Sequence, residues 1–311
     1  MKKPTVQYFR TMHFHPENIA YLENNTYLWT DPYPGFQFNK HVEVVFAGIT
    51  VSWDDEMLAK YPRCKYLVSN TSSHQHIDTD ACRKRGVTII SLLGEKAFLE
   101  EITPTIEHTW GLIHAIHRRI PAAHNDVCQN VWDRRRWPAP RMLSRMSLGV
   151  VGFGRIGDMV GCIGEQFGMR VGYYDPYIPN TNRQAQPTLL GLAAESDILV
   201  ICCSLTSETI GLVSKEVLRA LPKGALVVNT ARGEILDEDA LLAGLIDGHI
   251  RGAALDVMAG EFQEARNTNL TAYAQTYDNL IITPHIGGST IDAWHSTEHH
   301  VIDLMLQEYA K

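Results

Sequence analysis

Cysteine is sparse in this chain of 311 residues. Only six are present (Cys64, Cys82, Cys128, Cys162, Cys202 and Cys203), and no two of them form a CxxC pair. That excludes a disulfide-built scaffold and a cysteine-rich zinc site, and all six read as reduced and structural. Long hydrophobic runs are also missing, for none approaches the roughly 20 residues that span a bilayer. The opening Met1-Lys2-Lys3 has no apolar signal core behind it, so no membrane partner and a cytoplasmic location are expected. Basic excess is lacking too. The formal net charge is −7, which argues against nucleic acid as a partner. The short basic run within Val131-Trp-Asp-Arg-Arg-Arg-Trp137 reads as a solvated or interface segment. No internal repeat or low-complexity stretch occurs. What remains is 45% hydrophobic and 20% charged, ordinary for a globular protein and long enough for two domains.

Against these absences stands Gly149-Val-Val-Gly152-Phe153-Gly154-Arg155-Ile156-Gly157, answered eighteen residues after Gly157 by Asp175. An apolar run, Ser147–Val151, turns directly into a helical pattern reaching about Phe167, and Arg170–Tyr174 reads as the next strand. Gly152 permits the tight turn, Gly154 lets the backbone approach a pyrophosphate, and Gly157 lets helix and strand pack closely. The pyrophosphate would rest on the helix N-terminus. Asp175 can accept both hydroxyls of an adenosine ribose and would repel a 2′-phosphate, so the expected cofactor is NAD and not NADP. A glycine-rich turn without a ligand is the plain alternative, but strand, helix, second strand and acid all fall in place.

Further strands are expected at 197–203, 225–229, 250–255 and 279–283, alternating with helices at 189–195, 214–220 and 237–248. Continuous apolar strands between amphipathic helices indicate a parallel sheet covered on both faces. The first hundred residues give a shorter alternation, with strand candidates at 5–9, 42–47, 65–69 and 87–90. No glycine fingerprint follows any of these, so this second α/β unit is not expected to bind the nucleotide. Between the units, Ile102, Ile106, Thr109, Ile113, Ile116 and Ile120 share one helical face. Thr103-Pro104 suits the start of that helix and Pro121 its stop. A last helix is expected over Ile291–Tyr309.

Three ionisable residues stand just past strand ends: Arg232, Glu261 and His285. A guanidinium can grip a carboxylate and an adjacent carbonyl oxygen. A histidine can donate a proton to that oxygen as hydride arrives from the cofactor, and a carboxylate can orient its ring. These are the groups a 2-oxo acid reduction needs.

The chain resembles the D-isomer-specific 2-hydroxyacid dehydrogenase family. The resemblance rests on Gly152–Gly157, Ser204-Leu-Thr-Ser-Glu-Thr209, Asn229-Thr-Ala-Arg-Gly233, Gly252-Ala-Ala-Leu-Asp-Val257 and Thr283-Pro-His-Ile-Gly-Gly288, in order, and covers nearly everything from Lys65 onward. It implies two Rossmann-like, doubly wound α/β domains. A flavodoxin-like substrate domain would comprise residues 1–103 plus 293–311, an NAD-binding Rossmann domain residues 104–292, and the active site would lie in the cleft. It implies Arg232 as the substrate-binding arginine, His285 as acid/base and Glu261 as its partner. Asp256 would hold the nicotinamide carboxamide. The remaining expected cofactor contacts are Ser72, Thr109, Cys203, Thr230, Ala231, Gly287 and Gly288, beside the fingerprint residues and Asp175. Ser72, Ser73 and His74 join Arg232 and His285 as expected substrate contacts. A homodimer with Val131–Trp137 in its arm is implied as well.

Two departures bear on this reading. The loop expected to be rich in glycine reads Ser69-Asn-Thr-Ser-Ser-His-Gln-His-Ile-Asp78, which predicts a narrower, more polar pocket and a hydrophilic or acidic substrate tail. Phe262 replaces the proline common after the glutamate, so Glu264 is the alternative to Glu261. Formate oxidation is disfavoured, because that branch pairs its histidine with glutamine. The histidine pairs 13/15, 74/76, 114/117 and 299/300 lack evident further ligands, so no metal is expected. The leading expectation is therefore an NAD-dependent oxidoreductase acting on a small 2-oxo or D-2-hydroxy acid. The alternative is an NAD(H)-sensing protein-interaction regulator of the same fold.

Overall fold

The computed structural model describes residues 3–31, 37–137, 139–178, 183–261 and 267–311; Phe262 and Glu264 lie outside them. The chain divides into two compact units, residues 1–102 with 289–311, and residues 103–288.

The first unit carries strands β1 (Thr5–Tyr8), β2 (Tyr27–Thr30), β3 (Val44–Phe46), β4 (Tyr66–Ser69) and β5 (Thr88–Ser91), all parallel, in the order β2-β1-β3-β4-β5. That is the flavodoxin-like winding. Its helices are α1 (Pro16–Asn25), α2 (Asp55–Ala59), α3 (Thr79–Arg85) and α4 (Lys96–Leu99), with the C-terminal helix Ile291–Tyr309. Both faces of the sheet are buried, as parallel sheets require. Val6, Tyr8, Val44, Phe46 and Val68 pack with Val301, Ile302 and Met305 of the C-terminal helix. On the opposite face Val45 and Leu67 join Phe9, Trp53, Leu58 and Cys82. β2 was not among the expected strands. Its Tyr27 is 65% exposed, so this edge strand carries no buried run to announce it.

The second unit holds seven parallel strands: β6 (Ser147–Val151), β7 (Arg170–Tyr174), β8 (Gln184–Ala185), β9 (Ile198–Ile201), β10 (Ala225–Asn229), β11 (Ile250–Leu255) and β12 (Leu280–Ile282). Their order is β12-β11-β10-β9-β6-β7-β8, the Rossmann winding extended by one strand, with its switch point between β6 and β9. Helices α5 (Pro104–Arg118), α6 (Ile120–Cys128), α7 (Arg155–Gln166), α8 (Leu189–Ala194), α9 (Lys215–Ala220), α10 (Glu238–Ile246) and α11 (Thr268–Thr276) accompany the sheet. Ile106, Trp110, Ile113 and Ile116 of α5 pack with Leu148, Val150, Val200 and Val228 on one face. Leu192, Leu218, Leu241 and Leu245 cover Leu199, Ile201, Val227 and Leu255 on the other.

Two expectations about α5 need correction. Its apolar stripe holds from Ile106 to Ile116, but Ile120 is 52% exposed and Ile102 lies outside the helix. The stop is not Pro121. Arg119 ends the helix by adopting a left-handed conformation (φ 51°, ψ 40°), and Pro121 falls in the first turn of α6. A proline there forfeits no hydrogen bond, because the first helical N–H groups have no partner within the helix. The six cysteines are free, yet Cys128 and Cys162 are exposed, so those two are not core residues. Among the described residues no helix is long and apolar enough to cross a membrane.

Candidate active site

The carboxyl end of β6 is shaped by close backbone approaches. Gly152 has φ +85°, and a Cβ there would stand 2.5 Å from Cys203 Cα. A Cβ on Gly157 would stand 2.1 Å from the Gly152 carbonyl oxygen. Gly154 differs: it is the N-cap of α7, no side chain caps that helix, and nothing lies within 4 Å of where its Cβ would be. An N-terminus without a side-chain cap and with open space at Gly154 fits an anionic pyrophosphate. Asp175, just past β7, accepts from Phe153 N (2.8 Å, Oδ2) and from Tyr177 N (2.9 Å, Oδ1). Its carboxylate is thus fixed beside the glycine loop with lone pairs to spare for ribose hydroxyls. These features fit a dinucleotide. Phe153 is 3% exposed and stacks on Tyr173 at 4.0 Å between centroids, which leaves its backbone as the part able to meet a ligand. Arg155 and Ile156 are half-buried on the first turn of α7. Burial pushes the Cys203 thiol up to about 11, so it stays a neutral wall of the groove.

Further along the sheet's carboxyl edge, His285 Nδ1 and Glu261 Oε1 lie 2.6 Å apart. His285 has φ +54°, a costly conformation for a residue that is not glycine. It is held there by its own N–H, which donates to the carbonyls of Asp256 (2.8 Å) and Thr283 (3.0 Å). Arg232 extends from the loop after β10. Asn229, fully buried, fixes that loop by donating from Nδ2 to Arg232 O and accepting from Ala231 N. Burial lowers the Arg232 pKa, while Glu261 and Glu234 pull it the other way. Thr230 and Thr109 share a hydrogen bond between their hydroxyls at 2.7 Å.

Asp256, 2% exposed, organises the turn after β12. It accepts from Thr283 Oγ1 (2.6 Å), Ile286 N (2.9 Å) and Gly287 N (2.7 Å). A Cβ on Gly287 would stand 2.7 Å from Asp256 Oδ2, so only glycine lets that amide approach. Gly288 is exposed. Sequence reasoning missed three members of this cluster. His108 on α5 has Nε2 3.2 Å from Asp256 Oδ1 and 3.1 Å from Thr283 Oγ1. Glu234 and Glu238 accept from Gly260 N and Ala259 N and so hold the segment that carries Glu261. The only sequence signal for His108 was its place beside Thr109.

In the first unit, the loop after β4 closes on itself. Ser69 Oγ meets Thr71 Oγ1 at 2.9 Å and His76 Nε2 at 3.2 Å, and Thr71 Oγ1 donates to Ser73 O. His74 Nε2 and Ser91 Oγ are 2.7 Å apart, and burial lowers the His74 pKa. Ser72 is exposed and Ser73 half-buried. The histidines of the pairs 114/117 and 299/300 turn to different partners. His117 turns to Arg141 O and Arg251, whereas His114 packs on Trp110 and Phe167. His300 meets Glu95, and His299 meets Asn18.

A family model described as "D-isomer specific 2-hydroxyacid dehydrogenase, NAD binding domain" matches residues 110–287, more than half of the chain. The chain belongs to the D-isomer-specific 2-hydroxyacid dehydrogenase family. Relatives within and beside that family include a D-3-phosphoglycerate dehydrogenase of Mycobacterium bovis, 35% identical over 244 residues, covering 77% of this chain and 44% of that protein. The chain thus spans less than half of that relative's length. A glyoxylate/hydroxypyruvate reductase of Arabidopsis thaliana is 34% identical over 242 residues, 76% of this chain and 70% of its own. Among solved structures, a D-lactate dehydrogenase from Aquifex aeolicus, complexed with NAD and lactic acid, superposes with a TM-score of 0.82 at 25% identity, over 98% of this chain and 95% of that one. The family's NAD-binding domain coincides with the second unit, where the open helix N-terminus and Asp175 lie.

Proposed function

We propose that this family member interconverts a small 2-oxo acid and its D-2-hydroxy acid with NAD(H). The observation that carries the reading is the 2.6 Å contact between His285 Nδ1 and Glu261 Oε1. A carboxylate on Nδ1 keeps a proton there, so Nε2 is the nitrogen that gives or takes one. His285 then protonates the C2 oxygen of the oxo acid in reduction and accepts the hydroxyl proton in oxidation. Arg232 holds the substrate carboxylate with its guanidinium. Bound NADH supplies the hydride equivalent to C2. Gly152, Gly154, Arg155, Ile156 and Gly157 form the pyrophosphate cradle, Asp175 takes the ribose, and Asp256 with Thr109, Thr230, Ala231, Cys203, Gly287 and Gly288 lines the nicotinamide end. The hydrogen bond between Glu261 Oε1 and His285 Nδ1 supports Glu261 as the partner.

Residues 1–102 with 289–311 are assigned as the substrate domain, with Ser72, Ser73 and His74 as substrate contacts and Ser72 also at the cofactor. Their position past the carboxyl end of β4 supports this, since α/β sheets bind ligands at that edge. A cytoplasmic location and a homodimer belong to the same proposal. The dimer is supported by the exposed apolar side chains Val127, Trp132 and Met142.

The test is NADH oxidation across a panel of 2-oxo acids: glyoxylate, hydroxypyruvate, pyruvate, oxaloacetate and branched-chain acids. Turnover with at least one acid is expected, and Arg232→Ala is expected to lose roughly 100-fold or more of kcat/KM. Tight NADH binding with no turnover on any acid would overturn the reading in favour of a nucleotide-sensing role.

A further inference from the structure

Residues 280 positions apart in sequence meet on the first unit. His15 precedes α1 and Glu17 lies in its first turn, while His295 sits in the second turn of the C-terminal helix. One donor atom from each of the three lies within 4.8 Å of the other two. The His15 and His295 rings are 4.6 Å apart between centroids, at 73°, and His295 Nε2 is 3.2 Å from Glu17 Oε2. Two imidazoles and one carboxylate are the donor set that binds a borderline dication with a fourth position left to water. Around zinc, with bonds of about 2.0–2.1 Å, tetrahedral donors stand roughly 3.3 Å apart. Small side-chain rotations bridge the difference.

The donors rest on a rigid, buried support. Asn18 is fully buried and Glu298 is 2% exposed. Asn18 Nδ2 donates both to Glu298 Oε2 (2.9 Å) and to His295 O (3.0 Å). His15 N donates to the same Glu298 oxygen at 2.8 Å. The backbones of both histidines are therefore tied to one pair of side chains, which sets their separation before any ion arrives. His299, one turn beyond His295, keeps the Asn18 amide in its orientation by placing Nδ1 3.1 Å from Asn18 Oδ1. Its ring is held in turn by stacking on Tyr21 at 4.7 Å. Glu17 supplies the negative charge that a dication needs at an edge where two helices begin.

We propose that His15, Glu17 and His295 form a zinc-class metal site that staples α1 to the C-terminal helix. It joins the first and last segments of the discontinuous unit and acts on stability and not on the reaction. An ion that binds the folded unit alone stabilises it by mass action.

The whole chain, stripped with a chelator, is titrated with Co2+ and then with Zn2+. One Co2+ per chain, with the intense visible absorption of four-coordinate cobalt, displaced by zinc, is the expected result. Saturating zinc is expected to raise the thermal midpoint by about 3 °C or more. His15→Asn, which keeps a helix-capping side chain, and His295→Gln are both expected to abolish the cobalt spectrum and the zinc-dependent rise. Their metal-free thermal midpoints are expected to match that of the unaltered metal-free chain to within about 2 °C, which shows that they fold. Absence of cobalt uptake by the unaltered protein overturns the proposal whatever the variants do. So does a spectrum that survives both substitutions, or a midpoint indifferent to zinc.

Discussion

The two units are wound alike and finished differently. Each is a parallel sheet whose strand order reverses once, which in this class of fold creates a crevice at the carboxyl edge. In the second unit that crevice is left to backbone: Gly154 caps α7 with no side chain, and the space beside it is open. In the first unit side chains fill it beside β1. A 3₁₀ turn, Arg10–Met12, follows β1, and Met12 packs against the clusters on both faces. Helix α1 begins with Pro16, and the His15 ring accepts from Glu17 N. One topology thus gives a nucleotide cradle where glycine removes side chains and a packed scaffold where side chains are kept. Winding makes the crevice, and residue size decides whether anything can enter it.

Substitutions can break this contrast. Gly152→Val is expected to have the largest effect, because it combines a positive φ with a 2.5 Å approach to Cys203 Cα. NADH binding is expected to vanish together with much of the soluble folded protein. Gly48→Ala, at the equivalent edge of the first unit, meets only the Met12 side chain, with Cγ at 3.5 Å and Sδ at 4.0 Å. Its thermal midpoint is expected to shift by no more than about 2 °C. Equal damage at the two sites in thermal denaturation would dissolve the distinction.

Gly154→Ala sharpens it. The added methyl meets no protein atom within 4 Å, so the fold is expected to survive with a near-normal midpoint. NADH affinity, followed by fluorescence, is expected to fall about tenfold, since the methyl occupies space assigned to the pyrophosphate. In the first unit, Thr71→Val deletes hydroxyl contacts to Ser69 and Ser73. A loss of about 1 kcal/mol in denaturant unfolding is expected, with NADH affinity untouched.

The smallest effect concerns His74. Burial holds its pKa below the ordinary 6.5, so the unfolded chain takes up its proton first as pH falls. Its contribution to stability is complete above the unfolded value and is lost as pH drops through the lowered folded value. The thermal midpoint is expected to decline on acidification through that window, and His74→Gln to flatten part of the decline. A variant with an unaltered profile would show that His74 is not among the groups responsible.

Much of the second unit was legible because most of its central strands are buried apolar runs punctuated by glycine. Ser147–Val151, Arg170–Tyr174, Ala225–Asn229 and Ile250–Leu255 fall where their apolar runs indicate. The Rossmann and flavodoxin-like windings were expected as well, and the strand orders agree. What escaped notice lacks a periodic signal. β8 is two residues long and fully exposed, and β2 lies on an edge. Arg119 breaks a helix by adopting a conformation that its residue type does not advertise. The histidine–glutamate pairing of His285 and Glu261 could be anticipated from residue chemistry, and the two atoms do meet. His108 could not, because its partner Asp256 is 148 positions away and only the packing of α5 brings them together. The same is true of Asp175, whose service as a brace for Phe153 N depends on the turn and not on the strand that leads to it.

The C-terminal helix has a consequence for how the protein is made. Val301, Ile302 and Met305 fill one face of a sheet whose own strands are complete by Ser91. At ribosomal speeds of about 5–20 residues per second, the intervening segment takes roughly 10–40 s to emerge. Throughout that interval Val6, Tyr8, Val44 and Phe46 are covered only in part, by Phe14 and Leu22 among others, although the second unit can already fold. The nascent chain is therefore more exposed to aggregation and chaperone capture through this face, and synthesis of the helix Ile291–Tyr309 ends that exposure.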